Sequence, residues 1–220
     1  MKISYAKLEP ESQSHGILCI FCDLNEFDKE DFRPWLTEDM FPARINIGFN
    51  CCASFDLLEG SGSEFATLYK VPNQRFLYGD PYQNLRRDRL PRDINFHKNF
   101  INPRRYILAS IQPNINHFNQ NFSQYLSIDE VSILPENEEQ FNIWYYTEYL
   151  PELESFSSNI NHHRYISIEG ISKYVLITGF EKRDTFKHRG WFNLYDKLHN
   201  HSSLTVDKYS IYTKKIEVYE

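Results

Sequence analysis

The feature that most constrains this chain is an internal repeat. Residues 32–42 (FRPWLTEDMFP) and residues 141–151 (FNIWYYTEYLP) align without a gap. Phe, Trp and Pro recur at an offset of 109, and an acid recurs as Asp39 and Glu148. The chain has 220 residues, so this offset divides it almost in two. Self-similarity at half the chain length means one supersecondary unit used twice.

The flanking patterns support that reading. In the first half, an apolar run over 15–24 reads as a strand. Asp28 is placed to cap a helix, with Asp31 at capping-box spacing, and the helix runs to about Phe41, where Pro42 stops it. Residues 50–58 and 64–71 read as strands of a hairpin turned by Gly60-Ser61-Gly62-Ser63. A helix over about 81–90, an irregular segment with two prolines and a strand over 105–111 follow. The second half repeats the order. It has a strand over 125–134, a helix over 138–156, a hairpin of 162–169 and 173–180, a helix over 185–199 and a strand over 209–218. Each half thus reads β-α-β-β-α-β, a ferredoxin-like unit. The expected domains are 1–112 and 125–220, joined by an Asn- and Gln-rich linker over 113–124. Val175-Leu176-Ile177 and Ile107-Leu108-Ala109 are continuous apolar runs, which strands show when covered on both faces. Helices cover one face of such a unit, and the other half's sheet is the natural cover for the second.

Composition narrows the partners. The chain has 24 Lys+Arg against 30 Asp+Glu, a formal net charge of −6. That balance argues against a general nucleic-acid binder. Mean hydropathy is −0.57, and no apolar run approaches the ~20 residues of a membrane-spanning helix. The N-terminus lacks the apolar stretch of a secretory signal. A reduced, cytoplasmic protein without membrane contact is expected. Four cysteines do not make a disulfide scaffold. Cys19 and Cys22, three apart on a strand, point to opposite faces and cannot readily share a metal ion, so buried free thiols are expected and no metal site. Aromatic residues reach 16%, with 17 Phe and 15 Tyr, which suits a core around a partly polar cavity.

With these residues in place, the sequence resembles the dimeric α/β-barrel superfamily on its EthD-like side. The first-helix pattern of that branch, F-x-x-W-Y-x-x-E-H-[LI]-P-E-R, is followed by Gly-Phe and Arg-Tyr. Phe32, Trp35, Pro42, Arg44, Gly48 and Phe49 match it in the first half. Phe141, Trp144, Tyr145, Leu150, Pro151, Glu152, Arg164 and Tyr165 match it in the second. The resemblance spans roughly residues 15–218. It implies an α+β fold of two tandem ferredoxin-like units closing one pseudo-dimeric α/β barrel, hence a monomer. It also implies an enzyme acting without a cofactor on a small apolar, aromatic or polyketide-like metabolite inside the barrel, by proton transfer, cyclisation or lyase chemistry. The family's helix-end histidine falls on Met40 in one half and on Tyr149 in the other. The competing expectation is therefore a non-catalytic binding or structural barrel, its interior filled by its own aromatic residues.

The candidate site follows from the same positions. Tyr149 would donate a proton or stabilise an oxyanion. His163, or its neighbour His162, would be the base, since residues alternate across a strand and one of the pairs His163/Tyr165 and His162/Arg164 must face inward. Asp39 and Glu148 would form an acid/base pair across the pseudo-twofold axis, or else be solvated helix-end acids. Trp35, Trp144, Phe32, Met40, Arg164 and Tyr165 would shape the pocket, with the second half carrying the polar groups and the first half an apolar wall. The run Arg86-Arg87-Asp88-Arg89 with Arg92 reads as a basic helix tail complementing the helix dipole, with phosphate binding as the other reading. His199-Asn200-His201 reads as a helix end. No P-loop or G-x-G-x-x-G stretch supports nucleotide binding.

Overall fold

The computed structural model describes residues 15–111, 121–156 and 160–219. Its first strand, β1 (Gly16–Asp23), leads into α1 (Glu26–Trp35), a π-helical turn (Leu36–Met40) and α2 (Phe41–Ile45). Next come β2 (Cys51–Gly60), β3 (Phe65–Val71), α3 (Asp80–Arg87), α4 (Pro91–Asn99) and β4 (Ile101–Ser110). The later part has β5 (Tyr125–Ser132), α5 (Glu138–Trp144), a second π turn (Tyr145–Tyr149) and α6 (Leu150–Phe156). It closes with β6 (Asn161–Glu169), β7 (Tyr174–Phe180), α7 (Arg189–His199) and β8 (Thr205–Tyr219).

The eight strands form one closed antiparallel barrel in the order β1-β3-β2-β8-β5-β7-β6-β4. Two runs of four, β4-β1-β3-β2 and β8-β5-β7-β6, take their strands in the same relative order and meet at the β2–β8 and β4–β6 ladders. Alternation along each strand decides what is buried where. Ile17, Cys19 and Phe21 of β1 join the barrel interior with Phe55, Tyr106, Tyr165 and Tyr212. Leu18 and Cys22 face the other way, onto α1 and α2 with Phe32 and Trp35. Val175 and Ile177 point inward and Leu176 outward, so both faces of the apolar runs are covered as expected.

Two local differences from the sequence reading have clear causes. The first helix does not stop at Pro42 but continues to Ile45. A π turn lies directly before it, and its wider winding relieves the clash between a proline ring and the carbonyl of the preceding turn. The same device recurs 109 residues on, with the π turn Tyr145–Tyr149 preceding Pro151. The segment expected to be irregular contains a helix, α4, which Pro91 opens at its first position, where no N–H is needed. Of the expected linker, residues 113–120 lie outside the described residues. Phe122 just after them closes one mouth of the barrel. Its N–H donates to Glu217 Oε1 at 2.6 Å, and Lys214 Nζ donates to its carbonyl at 2.5 Å.

Candidate functional site

A cavity lies outside the barrel, between the outer face of β1 and β3 and the helices α1–α4. The space between these elements is about 510 Å³ when its open mouth is included. Sequence order explains why it is there. The period of α1 and the following turn puts Phe32, Trp35, Leu36 and Met40 on one face, where all four are buried. Strand alternation presents Leu18 and Tyr69 opposite them. Trp35 stacks on Phe96 of α4 with centroids 4.4 Å apart, and its Nε1–H donates to Asp93 Oδ1 at 2.6 Å. That pair fastens α4 over the opening.

His97 lines this cavity. Its Nδ1 lies 2.6 Å from the backbone carbonyl of Asp93, an acceptor, so Nδ1 carries the proton and Nε2 keeps a lone pair for a ligand. Burial lowers its pKa, and Arg89 and Arg44 lower it further, so the ring is neutral at pH 7. Four arginines also line the cavity: Arg44, Arg86, Arg89 and Arg105. No carboxylate does so among the described residues. Arg105 pairs with Glu169. Arg44 is 8% exposed; one end donates to the Met40 carbonyl at 3.0 Å, while its Nε is buried without a hydrogen-bond partner.

The corresponding layer of the second half carries larger rings. Tyr145, Tyr149, Trp144, Phe180 and Trp191 pack there against the outer face of β5 and β7. His162 faces this layer, between the Tyr145 hydroxyl at 2.6 Å and Thr178 Oγ1 at 2.7 Å, and burial lowers its pKa to about 3. Arg164 is buried beneath rings, 4.2 Å from the centroid of Tyr174 and 4.7 Å from that of Tyr145.

The sequence-predicted residues are thus dispersed. Trp35, Phe32 and Met40 line the cavity. Trp144 and Tyr149 belong to the packed layer of the second half, where burial raises the Tyr149 pKa well above the ordinary phenol value. His163 and Tyr165 face inward, His163 beside a smaller cavity at the Phe122 mouth. Tyr149 and His163 therefore lie on opposite faces of the sheet and do not meet. Asp39 accepts from Arg92 at 2.8 Å, and the cation near Glu148 is Lys197 at 3.9 Å, so these two acids do not pair with each other. Phe21, Phe55, Tyr106, Leu108, Tyr165 and Tyr212 pack in much of the barrel interior, which leaves the smaller cavity beside His163. A polar end of that interior holds Glu130, which accepts from Arg104 at 2.8 Å and from the Tyr106 hydroxyl at 2.6 Å.

All four cysteines are buried and free. Cys19 faces the interior and Cys22 the helices, and no cluster of metal-ligating side chains exists among the described residues. His199 ends α7 and bonds Asp129 Oδ1 at 2.7 Å. The sequence reading missed His97 altogether. Pro91 followed by only two apolar residues, Ile94 and Phe96, was too weak a helix signal to place it.

Against known proteins, no family model matches the sequence and no curated protein is significantly similar to it. Solved structures do match along nearly the whole chain. A candidate chlorite dismutase superposes with a TM-score of 0.67 at 9% identity, covering 93% of this chain and 96% of that one. An anthrone oxidase-like protein gives 0.58 at 9% identity, covering 94% and 93%. A haem-binding protein from Thermus thermophilus gives 0.53 at 10% identity, covering 93% and 92%. These neighbours are of the chlorite dismutase-like, dimeric α/β-barrel superfamily. At such identities the likeness shows the fold: a mixed α+β chain closing an eight-stranded antiparallel barrel. Among the described residues, no helix is long and apolar enough to cross a membrane.

Proposed function

We propose that this chain is a small-molecule protein of enzymatic type, built as two tandem ferredoxin-like units in one pseudo-dimeric barrel. Its site is the cavity between the first-half sheet and α1–α4. The observation that carries the reading is His97, a neutral imidazole with Nε2 available in an aromatic-walled cavity. A neutral imidazole there can accept a proton from a bound molecule, and the low-polarity walls of Phe32, Trp35 and Leu36 sharpen its interaction with charge. This keeps the proton-transfer class that the family resemblance implies but moves it out of the barrel and away from Tyr149.

The names of the structural neighbours bring in a second reading, haem, and one observation favours it. An imidazole that would hold a haem iron needs a free ring nitrogen, with the other nitrogen hydrogen-bonded to fix the ring, and the Nδ1 bond of His97 to the Asp93 carbonyl leaves Nε2 for that role. The donor set therefore fits: His97 would hold the iron, and Arg44, Arg86 and Arg89 would pair with the macrocycle's carboxylates. Bound there, haem would supply oxidative chemistry, while this chain would bind, orient and shield the reacting molecule.

Both readings use one cavity, so one variant tests them. Leu36→Tyr/Met40→Tyr copies the second half and fills the space. Anilinonaphthalene sulfonate, which brightens in apolar sites, is expected to bind the wild type and not this variant. Hemin titration then separates the readings, since a saturable Soret shift that His97→Ala abolishes supports haem. Undiminished probe binding by the filled variant would remove the site assignment.

A further inference from the structure

We infer that the ligand of this cavity is an anion: a flat aromatic or conjugated molecule bearing a carboxylate, gripped by Arg44, Arg86 and Arg89. The inference rests on the cavity being the site and adds the charge and shape of what fills it. Four guanidinium groups border the space, and Arg105 alone among them has an acid partner, Glu169, among the described residues. Asp93 attracts Arg89 from nearby but is committed to the Trp35 indole.

Arg44 makes the strongest case. It is more than nine-tenths buried, yet its Nε has no acceptor. A buried N–H of a charged group without a partner is costly, and so is crowding like charges at an apolar wall. Arg86 and Arg44 each disfavour the charge on Arg89, on top of its partial burial. An anion supplies the missing acceptor and relieves the repulsion in one step. The guanidinium fork matches a carboxylate with two parallel hydrogen bonds. The remaining wall is flat: Phe32, Trp35, Tyr69 and Tyr82 offer ring faces and edges, and the Arg44 guanidinium already sits 5.2 Å from the Tyr69 centroid.

The test uses two probes of one shape, 2-naphthoate and neutral 2-naphthamide, titrated calorimetrically into the wild type, Arg89→Gln and Arg44→Gln. Arg89 is only half-buried, so its variant keeps the core even where Arg44→Gln weakens folding, which circular dichroism monitors. Naphthoate is expected to bind the wild type about tenfold to a hundredfold more tightly than naphthamide, the value of one charge-assisted hydrogen bond. Arg89→Gln should erase most of that preference, weakening naphthoate far more than naphthamide. Equal affinities in the wild type, or a preference that both variants retain, would overturn the charge assignment and leave the cavity standing as a site. Failure of both probes to bind would overturn the site reading with it.

Discussion

Where the first helix of this barrel places Leu36, Met40 and Arg44, the helix 109 residues later places Tyr145, Tyr149 and Leu153. The surroundings of these positions match closely: a π turn, a following proline and a tryptophan just before the turn. The side chains do not match. Two tyrosine rings join the second-half layer, while a leucine, a methionine and a partly unsatisfied arginine line the first-half cavity. The first half also has α4, which brings His97 and Phe96 onto Trp35. In the second half, the loop residue His201 covers Trp144 instead, with centroids 4.0 Å apart. One backbone plan therefore carries a cluster of large rings on one face and an arginine-lined cavity on the other. The difference lies in a handful of side-chain volumes and one inserted helix, not in topology.

That contrast is open to direct attack. Removing the ring that fills the second half should cost most: Tyr149→Ala is expected to destabilise the chain by about 3–5 kcal/mol, as large-to-small core changes do. Met40→Ala, beside space that is already open, should cost less, toward about 2 kcal/mol. Chemical denaturation of both variants measures the gap, and equal losses would mean the two layers are packed alike.

The next effect is on pH. His162 falls to about 3 in the folded chain, against about 6.5 when unfolded. The unfolded state then binds the extra proton first as pH drops, so stability is full above about 6.5 and declines toward about 3. His162→Gln should flatten the slope of stability with pH by up to about 1.4 kcal/mol per unit in that window. An unchanged slope would show that the second-half layer is not as dry as its burial implies.

Smaller effects belong to the first-half cover. Asp93→Ala strands the Trp35 indole N–H and is expected to cost about 1–3 kcal/mol, read by thermal denaturation together with a loss of probe affinity as α4 loosens. Arg92 ties α4 to Asp31, Glu38 and Asp39 at the surface. Arg92→Ala should change stability by no more than about 1 kcal/mol because solvent screens these pairs. A larger loss would make the surface network, rather than the buried Trp35–Asp93 bond, the main fastening of α4.

Much of the fold was legible in the sequence because it rests on periodicity. The 109-residue offset, the apolar runs Val175-Leu176-Ile177 and Ile107-Leu108-Ala109, and the glycine turn at 60–63 each record local geometry. The opposite orientations of Cys19 and Cys22 followed from strand alternation alone. The site was legible only in part. Phe32, Trp35 and Met40 were found because they lie on the repeated helix. His97 and the inward roles of Arg86 and Arg89 were not, since they depend on α4 folding back over the sheet, a tertiary fact with no local signature. The barrel interior stayed open between a ligand cavity and an aromatic core for a related reason. Abundant tyrosine signals large half-polar side chains, but whether Tyr106, Tyr165 and Tyr212 surround a space or occupy it depends on how far the strands curve.

The most direct measurement of the central contrast uses the three tryptophans as reporters, Trp35 in the first-half layer and Trp144 and Trp191 in the second. Indole 15N–1H signals, assigned through single Trp→Phe variants, would be followed while 2-naphthoate is added. The Trp35 signal is expected to shift and saturate while those of Trp144 and Trp191 stay in place. Movement of Trp144 or Trp191 with Trp35 unmoved would put the ligand in the second half and contradict the assignment.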